Sequence, residues 1–221
     1  MERIPIGVQA LDESLKGGLP RGSISMVLGP PGSGKSILGR LYLYQGLLEP
    51  RPAILVSTSE SMETVRNTIE SFSWRINAFD KLLFLDCYSW QSGEKASRYS
   101  ANISSLTDVS IGLTSIIDDF KLQKDQRIRL VVDSFTDLIK YGGSDAAMKF
   151  IDSLRIRLRH SQITSLIMLE AGVHDERVVT AIEYSTDGTI RMKFSEEGRY
   201  MMISRMTATP LDLRWIPFSI G

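Results

Sequence analysis

Between the strand-forming run ISMVL (residues 24–28) and a stretch with apolar residues at helical spacing lies the octet GPPGSGKS, residues 29–36. Ile24, Met26 and Leu28 alternate with Ser25 and Val27, which suits a central strand. After the octet, Leu38, Leu41, Tyr42, Gln45 and Leu48 recur with the period of a helix. A glycine-rich loop joining a strand to a helix in the pattern G-x-x-x-x-G-K-[ST] is a phosphate cradle. Gly29, Gly32 and Gly34 let backbone N–H groups approach phosphate oxygens, with Ser33 between them. The helix N-terminus turns its positive dipole end to the same place. Lys35 can set its ammonium on β- and γ-phosphates, the Ser36 hydroxyl can ligate Mg²⁺, and Pro30 and Pro31 stiffen the approach. ATP with Mg²⁺ is the expected ligand.

A cradle needs a metal-holding carboxylate as well. In IRLVVDSFTDLI (128–139) a buried-strand run ends on Asp133, and metal-binding groups in open α/β sheets gather at the carboxyl ends of strands. Asp133 is therefore read as holding Mg²⁺ through a water; the alternative is that it caps the segment that follows.

The rest of the chain alternates. Strands are expected at 53–59, 81–88 and 164–170, the last ending on Glu170. Helices are expected at 62–74 with Ser61 as N-cap, at 109–123 and at 144–160. The serine-rich stretch 89–107 reads as a surface excursion, and 189–206 as a β-hairpin turning at Glu196, Glu197 and Gly198. Strand–helix alternation implies an α/β fold: a mostly parallel twisted sheet with helices on both faces and a C-terminal antiparallel extension. No repeat or linker divides residues 1–221, so one domain is expected.

Composition adds bounds. With 43% hydrophobic and 24% charged residues the chain has material for a sizeable core. Lys plus Arg equals Asp plus Glu at 26 each, so global charge gives no sign of nucleic acid or membrane. The lone Cys87 excludes an intramolecular disulfide and fits a reducing cytoplasm; it reads as a small buried residue. MERIPIGVQALDE carries charges where a secretory leader needs an apolar core, and no run reaches the roughly 20 residues that span a bilayer. His160 and His174 are too few for a structural metal site. VHDER (173–177) reads as a solvated loop or helix start. RIRLRH (155–160) reads as a charged, solvated helix face rather than a nucleic-acid stripe, and Trp74, Trp90 and Trp215 as packing residues.

Three stretches carry a resemblance: GVQALDESLKGGLPRGS before the first strand, the octet itself, and VVDS at Asp133. Together with FSWRINAFDKLLFLD (72–86), they make the chain similar to KaiC-like ATPases of the RecA/RadA superfamily, specifically over about residues 4–138 and weakly to about 218. The length is that of the single-domain members common in archaea, some regarded as RadA paralogs linked to DNA recombination and repair. The resemblance implies a RecA-like P-loop NTPase core, ATP and Mg²⁺, a homo-oligomeric ring or filament with nucleotide at subunit interfaces, and single-stranded DNA or a recombinase as partner. Two departures stand out. Where such domains carry paired glutamates, this chain has Ser59 and Glu60, leaving Glu60 as the carboxylate to activate water; without it, the role would pass to Glu170 or Asp133. The Lys-x-Arg pair that reaches a neighbour's γ-phosphate matches Ile203-Ser204-Arg205, so only Arg205 remains. These weakened parts favour slow hydrolysis. They leave open a regulatory module that holds ATP with negligible turnover and acts through a protein partner. A small-molecule kinase would need a second substrate motif or an arginine-rich lid, and neither is visible.

Overall fold

A computed structural model describes residues 1–49, 51–72, 74, 79–93, 97–120 and 127–220. The strands are β1 (Arg3–Ile4), β2 (Leu19–Pro20), β3 (Ile24–Gly29), β4 (Ala53–Ser57), β5 (Leu82–Asp86), β6 (Arg129–Val132), β7 (Thr164–Glu170), β8 (Gly188–Ser195), β9 (Gly198–Met206) and β10 (Ile216–Phe218). The α-helices are α1 (Gln9–Ser14), α2 (Lys35–Leu48), α3 (Met62–Ser71), α4 (Ser89–Ser92), α5 (Leu106–Asp119), α6 (Phe135–Gly142), α7 (Ser144–Ser161) and α8 (Glu176–Ser185).

The main sheet has eight strands in the order β10-β9-β8-β3-β7-β6-β4-β5. From β8 to β5 every pairing is parallel, while β9 and β10 add an antiparallel edge. Strands β3, β4 and β6 are buried along their whole length because both faces are covered. On one face Met26, Val56, Leu85, Leu130 and Ile167 pack against α5, α6, α7 and Ile182 of α8. On the other Val27, Leu55, Phe84, Val131 and Met168 pack against α1, α2 and α3. The expected mixed architecture is therefore present. Among the described residues no helix is long and apolar enough to cross a membrane.

Local chemistry sets the helix starts. The Ser61, Ser105 and Ser134 hydroxyls and the Asp175 carboxylate each accept an N–H from the first turn of α3, α5, α6 and α8 respectively. The VHDER segment thus holds a helix start, as expected. Helix α2, like α1, α4 and α7, has no side-chain cap among the described residues, and its N-cap is Gly34 with φ 99°.

Several expectations need correction. Helix α6 lies between β6 and α7 and went unread, because DSFTDLI looks like the tail of a strand followed by a loop. Helix α5 starts at Leu106; residues 121–123 of the expected helix lie outside the described residues, as do 73 and 75–78 of the link before β5. The 89–107 stretch is not a mere excursion: Ser100 bridges to Asp86, and Ala101 and Ile103 are buried in the core. Trp90 is 62% exposed and does not pack. Trp74 does, stacked on Tyr44 and Phe72 at 5.3 and 5.0 Å between ring centroids. Trp215 lies under the Lys193 ammonium, 4.2 Å from its ring. The α7 arginines are not simply solvated, since Arg155 and Arg159 both bond the buried carboxylate of Asp187. Cys87 is buried as expected, and burial pushes its thiol up to about 12.

Candidate functional site: a phosphate-type cleft at the strand ends

The carboxyl ends of β3, β4, β6 and β7 open into a cleft of about 480 Å³ whose walls include Gly32, Lys35, Ser36, Ser59, Asp133, Asp137, Glu170 and Ile220. The sheet register builds it. Gly29, where the loop leaves β3, pairs with Glu170, and Val132, the residue before Asp133, pairs with Ile167. Loops leaving adjacent parallel strands therefore meet at one rim.

Glycine is required at two places on this rim. Gly32 and Gly34 have φ of 75° and 99°, in the left-handed region. A Cβ on Gly34 would also stand 2.9 Å from Ile220 Cδ1. Ser33 is buried, and among the described residues its hydroxyl has no hydrogen-bond partner. Lys35 is buried under the loop, where its ammonium donates to the Gly29 and Pro30 carbonyls at 2.9 Å each and lies 3.6 Å from Glu170 Oε1. Desolvation lowers its pKa and the Glu170 carboxylate opposes that shift. Ser36 lies exposed on the cleft floor.

Asp133 is the most constrained carboxylate. It accepts from Thr58 N at 3.0 Å and Thr58 Oγ1 at 3.1 Å, and the Ser57 hydroxyl lies 2.8 Å from it. Thr58 Oγ1 also reaches Asp137 at 2.9 Å. Burial raises the Asp133 pKa from 3.8 to about 6 against these hydrogen bonds, with the Glu60 charge adding to the rise. A raised folded-state pKa gives stability that is complete below pH 3.8 and lost as pH rises through about 6. At pH 7.5 the desolvated charge is a cost on the order of 1–3 kcal/mol. Asp133→Asn keeps the Thr58 bonds through its amide oxygen. It is expected to melt several degrees higher than the parent at pH 7.5, with the gap closing by about pH 4. Paired thermal melts across that range check this; a variant less stable at pH 7.5 would refute it.

Ser36 and Asp133 supply a hard-oxygen donor set. Among the described residues no cluster of three or more His, Cys, Asp or Glu could hold an ion alone.

Lys35, Ser36 and Asp133 thus come together, along with Gly29 to Gly34. Glu60 does not join them, and Arg205, expected at a neighbour's nucleotide, lies away from its own chain's cleft. Ser59 lines the cleft, while the Glu60 carboxylate is bonded to the buried guanidinium of Arg40 on α2. Arg205 pairs with Thr189 near the start of β8, at the end of the sheet away from the phosphate-type loop. Its guanidinium donates to the Glu183 carbonyl and to Thr186 O and Oγ1 at the C-terminus of α8. The reading missed Asp137, because α6 was unread, and Arg199 at the hairpin tip, whose Nε lies 3.3 Å from Gly32 O. No sequence pattern announces a contact between residues so far apart.

The sequence profile of the KaiC ATPase family matches residues 4–221. A UPF0273 protein of Thermotoga maritima is 28% identical over all of this chain and 93% of its own length. A second UPF0273 protein, from Saccharolobus solfataricus, is 29% identical over all of this chain and 80% of its own. A solved KaiC-like protein from Pyrococcus horikoshii superposes with a TM-score of 0.75, covering all of this chain and 95% of that one; at 21% identity this likeness speaks to the fold. The profile takes in the glycine-rich loop, Asp133 and the antiparallel edge together, and on that match the chain belongs to the KaiC ATPase family.

Proposed function

We propose that this protein binds ATP with Mg²⁺ at the N-terminus of α2, hydrolyses it slowly, and works as a homo-oligomer. The observation that carries this reading is the convergence of Lys35, Ser36 and Asp133 on one cleft, beneath a helix whose first turn no side chain caps. Lys35 offers its ammonium to the β- and γ-phosphates. Ser36 and Asp133 would hold Mg²⁺, which neutralises phosphate charge when bound. The left-handed Gly32 and Gly34 turn the loop so that its amides can face the phosphates. Ile220, against Gly34, gives the cleft an apolar wall.

A second reading, a switch that holds ATP with negligible turnover and signals to a protein partner, is favoured by the Arg40–Glu60 pair. That pair keeps one carboxylate off the cleft. A role on single-stranded DNA, or beside a recombinase, draws no support from α7, where Arg155 and Arg159 are committed to Asp187. Within its own chain Arg205 holds the end of α8.

Calorimetry with Mg-ATP, single-turnover phosphate release and light scattering with and without nucleotide test the reading. One-to-one binding, phosphate release above the enzyme-free blank and an assembly larger than one chain are expected. Binding with release at the blank level would replace the ATPase by the switch, and no binding would remove both.

A further inference from the structure

We propose that Glu170, rather than Glu60, is the carboxylate that orients and deprotonates the attacking water, because Glu170 stands in the cleft 3.6 Å from the Lys35 ammonium while Glu60 is held off it by Arg40. The inference rests on the nucleotide reading above and names the residue that performs its chemistry.

Four observations bear on it. The first is position. Glu170 is the last residue of β7 and pairs in register with Gly29, where the phosphate-type loop begins; Ala171 N donates to Gly29 O at 2.9 Å. Its carboxylate is thus one strand away from the loop and beside the ammonium that a terminal phosphate would engage. The second is anchoring. Glu170 N donates to Thr136 Oγ1 at 2.8 Å, so the main chain behind the side chain is held by α6. The third is availability. The side chain is 27% exposed, and among the described residues Lys35 is its one ion-pair partner, leaving acceptor positions for water. The fourth is the state of its rivals. Asp133 is half-buried and its carboxylate is taken up by Ser57 and Thr58, Asp137 is engaged by Thr58, and Ser59 brings only a hydroxyl.

The step balances. A water proton passes to the Glu170 carboxylate as the water oxygen bonds to the γ-phosphorus. The bond from that phosphorus to the bridging oxygen breaks, and ADP leaves with the electron pair. The proton then returns to solvent or to the orthophosphate. A positioned base of this kind supplies roughly 10²- to 10⁴-fold in rate. The same geometry has a binding consequence. Glu170 and a triphosphate compete for Lys35, and a carboxylate beside the γ-phosphate repels it. Neutralising Glu170 therefore favours ATP.

The test compares the parent with Glu170→Gln, Glu170→Asp and Glu60→Gln, using Mg-ATP calorimetry and single-turnover phosphate release, with circular dichroism to confirm the fold. Glu170→Gln is expected to bind ATP about two- to fivefold more tightly, the scale of a partly exposed ion pair. It should release phosphate at least about 10²-fold more slowly. Glu170→Asp, which keeps a carboxylate, should recover part of the rate. Glu60→Gln should stay within about tenfold of the parent, short of the loss of a positioned base. A residue with a merely structural role would weaken binding and rate together. Parent-like release from Glu170→Gln, loss of its ATP binding, or an equal loss in Glu60→Gln would each overturn the assignment. A parent that fails to bind ATP would instead strike the nucleotide reading beneath it, and a parent that binds ATP without turnover would leave Glu170 no such role.

Discussion

Lys35→Ala is expected to weaken Mg-ATP binding by about 10²-fold or more, close to 3 kcal/mol, while the chain stays folded. Lys35 is only 8% exposed and its ammonium is desolvated, so a phosphate meeting it does so in surroundings where charge–charge attraction is strong. The variant loses that attraction and gains a penalty: Glu170, no longer neutralised, faces the incoming phosphate. The fold loses little, because the ammonium's partners are two carbonyls of its own loop and one partly exposed carboxylate. Calorimetry with Mg-ATP, together with a thermal melt, separates the two effects. Unchanged affinity in a folded variant would defeat the phosphate-cradle assignment.

The largest stability loss is expected at Asp187, far from the cleft. Its carboxylate is 3% exposed and accepts from Ile24 N at 3.0 Å, Arg159 at 2.6 Å and Arg155 at 3.4 Å. Its main chain exchanges bonds with Ile24 and Thr207, so one residue joins the start of β3, the end of β9 and helix α7. Asp187→Ala orphans a buried amide and leaves two guanidinium groups without their anion. Complete loss of a buried pair costs about 3–5 kcal/mol, but Arg159 keeps contact with water, which brings the expected loss to about 2–4 kcal/mol. Asp187→Asn can keep the Ile24 bond and should lose less. Urea unfolding of the two variants and of Arg159→Ala checks the order. Three losses all within about 0.5 kcal/mol, the range of ordinary surface changes, would show that this junction carries no special weight.

How legible the molecule is from its sequence depended on how local the cause is. The octet at 29–36 and the run ending at Asp133 were readable because loop conformation and strand burial are written in consecutive residues. The hairpin turn at Glu196–Glu197 was readable for the same reason. Helix α6 was lost because its eight residues follow a strand directly and its cap, Ser134, also suits a turn. The RIRLRH segment shows the other limit. Alternate arginines look like a wetted face until a buried aspartate, 28 residues on from Arg159, is brought beneath them. Glu60 shows the limit at the site itself. Its place after β4 was plain, but the direction of its side chain is decided by Arg40, whose position on α2 only the packing of that helix reveals.

Strand β9 spans nine residues, about 30 Å. At one end Arg199 rests on the Gly32 carbonyl, and near the other Arg205 grips the last carbonyls of α8. Helix α8 in turn follows the short loop that leaves β7 at Glu170, whose carboxylate faces Lys35, the first residue of α2 after the loop that holds Gly32. These links form a closed mechanical circuit, with β9 as its stiff strut. Through β9 and α8 the two walls of the cleft are thus tied to one another at a distance from the cleft itself.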